Sequence, residues 1–251
     1  MTKRTWIIFI AIVVVLFGGL LYLAGRDKVD VSTIDIQSIQ SAADASGGIA
    51  DHTSGASKAK VTLIEYGDFQ CPGCGSAYEP IKTVTDKYKN QMQFVFRNFP
   101  LSTLHPNARA AAAAAEAAGL LGKYWPMHDA LYANQKAWES ASATDRTELY
   151  ANYAEQIGLD RQKFIDTYNN QTKQTNKKIN FDIALGKKAG VTGTPTFYLN
   201  GKEVNQYYKD DKLVEANVSG AALVWSNADA FDKLIVQPAL KEAGVTLPST
   251  K

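Results

Sequence analysis

Cys71 and Cys74 are the only cysteines in the chain, and they stand together as Cys71-Pro72-Gly73-Cys74. Two thiols at this spacing on the first turn of a helix can close a disulfide with little backbone movement. A β-rich run precedes the motif and a helical run follows it, so Cys71 falls at or near a helix N-cap. Free backbone N–H groups and the positive end of the helix dipole stabilise an anion there. The Cys71 thiol is therefore expected to ionise below the free value of about 8.5, and the thiolate is the attacking species. Cys74, one turn further in, is expected to be more buried and to resolve a mixed disulfide from within. Pro72 suits the first helical position because its missing N–H had no partner to lose. Zinc also uses Cys-x-x-Cys, but it needs four ligands, and only His52, His105 and His128 are on offer, none paired as H-x-x-x-H. A purely structural disulfide closing so short a loop would remove little unfolded-state entropy. Redox chemistry fits the two thiols best, with no metal.

The elements that must position them can be read outward from the motif. Val61–Tyr66 is a short strand ended by Gly67. Residues 72 to about 89 form a helix, with Pro80 predicting a kink where it removes a donor. Met92–Arg97 alternates like a strand and closes at Asn98-Phe99-Pro100, giving a β–α–β unit with a right-handed crossover. A helical stretch over about 106–189 follows. It holds the Ala-rich run Asn107–Ala118, a helix at Pro126–Asn134, Asp145–Ile157 capped by Thr144, a segment to Tyr168 capped by Asp160, and a polar helix from about Lys173 to Ala189. Strand Thr196–Leu199 returns, Asn200-Gly201 signals a hairpin, Lys202–Val204 is its second strand, and Ala228–Ala243 is a closing helix.

Glu65-Tyr66-Gly67-Asp68-Phe69-Gln70-Cys71-Pro72-Gly73-Cys74 resembles the active-site entry of DsbA-family thiol–disulfide oxidoreductases, and Gly193-Thr194-Pro195-Thr196-Phe197 resembles that family's cis-proline loop. The resemblance runs from about Lys60 to Gly244. It implies an α/β, thioredoxin-like fold with an inserted helical subdomain over a domain at 58–247. Position by position it makes Cys71 the nucleophile, Cys74 the resolving cysteine and Cys71–Cys74 the redox disulfide, with Pro72 and Gly73 between them. Thr194 and Pro195 become the loop that packs on the disulfide and pairs with a client peptide. On residues alone, Thr194-Pro195 also suits an ordinary trans turn. Glu65 stands where the family carries a buried acid able to relay a proton to or from Cys74; as a strand-end glutamate it would equally face water. The resemblance implies no cofactor beyond the disulfide, reduced secreted proteins as clients, and a membrane quinone-linked thiol oxidase as reoxidant. Oxidase activity is expected. The alternatives are a reductase or isomerase of the same fold, or a non-enzymatic client-binding chaperone.

The rest of the chain reads more plainly. A net charge of +2, from 27 basic and 25 acidic residues, gives no nucleic-acid signature. Lys3 and Arg4 precede an apolar, uncharged run from Trp6 to Ala24, roughly the twenty residues that cross a bilayer as a helix. A cleavable signal peptide would have a shorter apolar region and small residues where Leu21, Tyr22 and Leu23 stand. The expectation is a transmembrane signal anchor at 6–24, with residues 1–5 a short cytoplasmic tail and the catalytic domain on the extracytoplasmic side of a cell membrane, in a bacterium. Residues 25–57, rich in Ser, Ala, Asp and Gly, read as a flexible tether. Lys173, Lys177, Lys178, Lys187 and Lys188 read as a solvated helix face, Asp68 and His105 as loop residues, and Trp125, Met127, Tyr132 and Trp138 as core of the insert.

Overall fold

The computed structural model describes residues 3–25 and 29–248, with the side chains of the first helix described through Gly19. A five-stranded sheet in the order β1-β3-β2-β4-β5 organises the chain. β2 (Val61–Gly67) and β3 (Met92–Asn98) are parallel and joined by α2 (Pro72–Lys87); β1 (His52–Gly55), β4 (Thr196–Leu199) and β5 (Lys202–Glu203) complete the sheet antiparallel to their neighbours. Strand alternation assigns the two faces of β2. Val61 and Leu63 pack with Ala77, Ile81 and Val84 of α2, whereas Ile64 and Tyr66 face Phe181 and Leu185. Glu65 shares the α2 side and lies opposite Phe96 and Phe197 in the register. Helix α2 runs continuously through Pro80.

Between β3 and β4 come α3 (Ala108–Leu120), α4 (Tyr124–Ala133), the single turn α5 (Gln135–Trp138), α6 (Ala143–Gln156), α7 (Arg161–Asn170) and α8 (Thr172–Ala189). The alanines of α3 let helices approach closely, and Ala111, Ala114, Ala115 and Ala118 are buried against Leu131, Trp138, Tyr150 and Phe164. Ser142, rather than Thr144, caps α6, its hydroxyl accepting from the Asp145 N–H; Asp160 caps α7 as expected. After a small sheet of β6 (Tyr207–Lys209), β7 (Lys212–Leu213) and β8 (Ala222–Leu223), the closing helix is α9 (Ala228–Phe231), a π segment (Asp232–Val236) and α10 (Gln237–Glu242). Pro238 cannot donate a helical hydrogen bond, and the residues before it take the wider spacing.

Lys3–Gly25 is helical (α1), and the large apolar residues Trp6–Phe17 stand exposed along it. The flanking residues Met1, Thr2, Arg26, Asp27 and Lys28 lie outside the described residues, as do the side chains of residues 20–25, so the tail expected at 1–5 and the end of the span expected at 6–24 are only partly described. Among the described residues no helix is long and apolar enough to cross a membrane.

The tether expected at 25–57 is corrected from Val29 onward. Val31, Ala45 and Ile49 are buried, the first two in one cluster with Tyr66, Phe99 and Phe181, and β1 pairs with β3. A polar network fixes this segment. Arg97, fully buried, donates to Asp51 Oδ2 at 2.7 Å, to Tyr66 Oη at 2.9 Å, and to the carbonyls of Ile36 and Ser38 at 2.7 Å. Lys178, read from sequence as solvated, is also fully buried, its Nζ donating to Asp51 Oδ1 at 3.0 Å and Asp182 Oδ1 at 2.6 Å. Lys188 too is engaged, donating to the carbonyls of Val31, Ser32 and Ile34. Burial alone would raise the Asp51 carboxyl; Lys178 and then Arg97 outweigh it and hold the group below its ordinary value. Composition alone could not show this, because the ion pairs that hold the segment join it to residues far along the chain.

Asp51→Ala would leave two buried cations short of a counter-ion, which should cost about 3–5 kcal/mol in chemical denaturation. A loss of only the surface-pair size, about 0–1 kcal/mol, would mean that the segment is not anchored this way.

Candidate active site

Strand β2 ends at Gly67, and the loop 68–71 carries the chain to the N-terminus of α2. Cys71 is the extended N-cap residue (φ −66°, ψ 124°), Pro72 the first helical residue, and the Gly75 N–H closes the first turn on the Cys71 carbonyl at 3.0 Å. The loop is held by Asp68, a buried residue that sequence assigned to an ordinary loop. Its Oδ1 accepts from the Gln70 N–H at 2.8 Å, and its Oδ2 meets the Leu101 N–H at 2.8 Å and His105 Nδ1 at 2.7 Å. His105 thus borders the site through Asp68.

Both cysteines are free thiols and both are buried: Cys71 keeps 8% of its surface and Cys74 1%. Cys71 is less open than its sequence position suggested, but it remains the outer of the pair. Its pKa is lowered to about 5. The largest cause is the hydrogen bond from the Cys74 thiol; burial opposes it, and Thr194 and the backbone N–H groups of Cys74 and Gly73 add to it. Sequence reasoning named the helix N-terminus, which contributes but does not lead. Cys74 moves the other way, well above an ordinary thiol, first through burial and then because its proton is shared with Cys71. The Asp68 N–H donates to Cys74 Sγ at 3.4 Å.

Glu65 is buried on the α2 side of β2, not turned to water. Burial, followed by the negative charge of Cys71, raises its carboxyl to about 8. Across the site the Thr194–Pro195 peptide is cis, and the Thr194 carbonyl accepts from Cys71 Sγ at 3.3 Å. A Cβ on Gly73 would stand 3.3 Å from Pro195 Cδ and 3.6 Å from Cys71 Sγ, so a side chain there would crowd this contact. Cys71, Cys74, Pro72, Gly73, Glu65, Thr194 and Pro195 therefore converge on one place. Among the described residues no cluster of three or more His, Cys, Asp or Glu could hold a metal.

Comparison with known proteins places this geometry. The thioredoxin family matches residues 48–216. This chain belongs to the thioredoxin family. Its fold is shared with α-DsbA1 of Wolbachia pipientis (23% identity, TM-score 0.58, covering 77% of this chain and 92% of that one). A thioredoxin-like oxidoreductase of Silicibacter pomeroyi is 25% identical over the same shares, at TM-score 0.52. Curated relatives include a protein of Salinispora arenicola named Na(+)/H(+) antiporter NhaA 1, 36% identical over 172 residues that make up 68% of this chain. The chain spans only about a quarter of that relative's length. The expected resemblance to DsbA-like proteins is met in the fold.

Several residues around this thioredoxin-family dithiol escaped the sequence reading. Gln135 donates from Nε2 to the carbonyls of Phe69 and Cys71 at 2.7 and 3.0 Å, tying the insert to the loop before the nucleophile. Gln70 Oε1 accepts from the Asn107 N–H at 2.6 Å, and its Nε2 donates to the Glu139 carbonyl at 2.7 Å. Nothing in the spacing marks these residues, because their partners are backbone atoms far along the chain.

Alkylation of the reduced protein at pH 6–7 should label Cys71 first, with an apparent pKa near 5, and Cys74 only on unfolding. Equal labelling, or Cys74 first, would reverse the two roles.

Proposed function

We propose that the protein is an extracytoplasmic protein thiol–disulfide oxidoreductase that works as an oxidase, passing the Cys71–Cys74 disulfide to secreted or surface proteins. The observation that carries this reading is the inequivalence of the two thiols: one is ionised near neutral pH beside the cis-proline loop, and the other is kept protonated behind it. A client thiolate attacks Cys71 Sγ, the S–S bond to Cys74 breaks, and Cys74 leaves as a thiolate that takes a proton from Glu65. The client's second thiolate then attacks the client sulfur in the mixed disulfide and expels Cys71 as the stabilised thiolate. Two electrons have moved from client to protein. Thr194 offers its backbone to the client chain as a strand neighbour.

The direction follows from a thermodynamic cycle. Stabilising the Cys71 thiolate favours the reduced protein over its disulfide, which makes the disulfide the stronger oxidant. Reoxidation then calls for an electron acceptor, for which a membrane quinone-linked thiol oxidase is the natural partner. Anchoring through Trp6–Ala24 would hold the domain beside such a partner, in the oxidising compartment that the chemistry needs.

Two measurements test this. Denaturation of the reduced and disulfide forms at neutral pH should find the reduced form the more stable. The difference between the forms removes the burial cost of Glu65, which both carry. A thiol whose folded pKa is depressed contributes stability that is fully present above its unfolded value, here about 9, and lost as pH falls through about 5. The advantage of the reduced form should therefore shrink between pH 9 and 5. A more stable disulfide form would identify a reductant instead. Separately, full-length protein should stay with membranes through a carbonate wash; a mature N-terminus found between Ala24 and Ser57 would show a cleaved leader.

A further inference from the structure

Glu65 sits beneath the dithiol, and the client covers Cys71 from the other side during exchange. A proton handled by Glu65 must reach solvent by another way. A cavity of about 70 Å³ opens on that inner side, lined by Glu65, Tyr78, Lys82, Trp125, His128 and Tyr132 among others. The volume has room for bridging water. His128, 4% exposed, lies on α4, with the rings of Phe96, Tyr132 and Trp125 at 4.8, 5.0 and 5.1 Å from its own. Its Nδ1 meets Asp129 Oδ1 at 3.0 Å, whereas its buried Nε2 has no protein partner, and neither has the buried Tyr132 hydroxyl. Asp129 is one-third exposed and pairs with Lys82 at 3.3 Å, and Lys82 pairs in turn with the exposed Asp86. A buried imidazole that lines the Glu65 cavity, with Nδ1 against a solvent-touching carboxylate and Nε2 without a protein partner, is arranged to carry a proton.

We propose that His128, with Asp129, is the outlet through which Glu65 exchanges its proton with solvent each time Cys74 gains or loses one. The inference rests on the exchange activity proposed above and adds a route for its proton. When an external disulfide oxidises the dithiol, the Cys71 thiolate attacks one sulfur and expels the first thiolate. Glu65, which holds a proton while Cys71 is a thiolate, first sends that proton through the cavity to His128 Nε2, and the Nδ1 proton leaves by Asp129 to solvent. Cys74 then gives its own proton to the emptied carboxylate and attacks Cys71 Sγ, expelling the second thiolate and closing the disulfide. In the oxidase direction the same path runs inward and reloads Glu65. Burial lowers the His128 pKa, which keeps the ring neutral between transfers. His128 does not touch the reacting sulfurs, so it is a positioning and relay residue rather than a catalytic one.

A chromogenic aromatic disulfide mixed with the reduced full-length protein separates the steps, because the first thiolate released reports Cys71 attack and the second reports resolution by Cys74. His128→Phe, which keeps a ring in the aromatic cage, should leave the first phase within about twofold. It should slow the second by roughly ten- to a hundredfold near neutral pH, at or below the low end of general acid–base effects. His128→Ala should show the same defect, and added imidazole should restore its second phase alone. An unchanged second phase in His128→Phe overturns the proposal, and so does a slowed second phase in His128→Ala that imidazole fails to restore. If His128→Phe slows both phases equally, the imidazole test on His128→Ala decides. A parent protein that releases neither thiolate would sink the exchange reading itself, and the outlet with it.

Discussion

One proton shared between two sulfurs sets the terms for this structure. The Cys74 thiol donates to Cys71, and that hydrogen bond does more than any other interaction to draw Cys71 down to about 5. The same bond keeps Cys74 protonated, and burial makes its ionisation harder still. Glu65 joins them as a third acid in the same buried region. A region of low dielectric holds one negative charge far more readily than two. The charge goes to Cys71 because Cys74 is the more deeply buried sulfur, and because the N–H groups of Gly73 and Cys74 at the helix start meet Cys71 whereas Cys74 has the Asp68 N–H.

The fold supplies that asymmetry through the two faces of one strand. Glu65 projects from β2 toward α2, where its neighbours are apolar or aromatic, and it rises toward neutrality. Tyr66, the next residue, projects to the opposite face and meets Arg97 at 2.9 Å, within a network of full charges that includes Asp51 and Lys178. That network extends through Asp182 to Asn98, and from Asn98 to Glu116 and His52, so it joins the N-terminal segment, β3, α3 and α8. Rigid ionic pairing behind the sheet thus accompanies, in front of it, a pocket that the raised Glu65 carboxyl shares with the Lys82–Asp129 pair. On this front side the insert also holds the loop, Gln135 donating to the carbonyls before α2.

Legibility in the sequence follows the same division. The Cys71-Pro72-Gly73-Cys74 motif, the β–α–β unit and the Ala-rich start of the insert are local, and propensity, punctuation and spacing reveal them. Thr194-Pro195 was informative only together with the first motif. Residues 29–57 misled because low apolar content signals a free tether, whereas Asp51 alone offers a carboxylate oxygen to each of two buried cations. Lys178 misled for the matching reason: a lysine on a polar helix is usually solvated, and its partner Asp51 lies 127 positions away. Asp68, Gln70 and Gln135 act on loops and backbone atoms that the chain brings near only after folding.

Glu65 and Cys71 act on each other reciprocally, and this gives the site a base at the moment one is required. While Cys71 is a thiolate, its charge adds to burial and keeps the Glu65 proton in place. Once Cys71 forms a mixed disulfide, that charge is gone and burial alone raises the Glu65 carboxyl, so the acid ionises more readily. Cys74 loses its bond to the Cys71 anion in the same event, and the repulsion that opposed its own ionisation goes too. The first change lets Glu65 give up the proton it carries, and the second lowers the cost of moving the Cys74 proton onto the emptied carboxylate, the step that frees Cys74 to attack. When Cys71 becomes a thiolate again, Glu65 regains its affinity for a proton and must recover one from solvent. The proton affinity of a buried carboxylate is thereby linked to the covalent state of a sulfur.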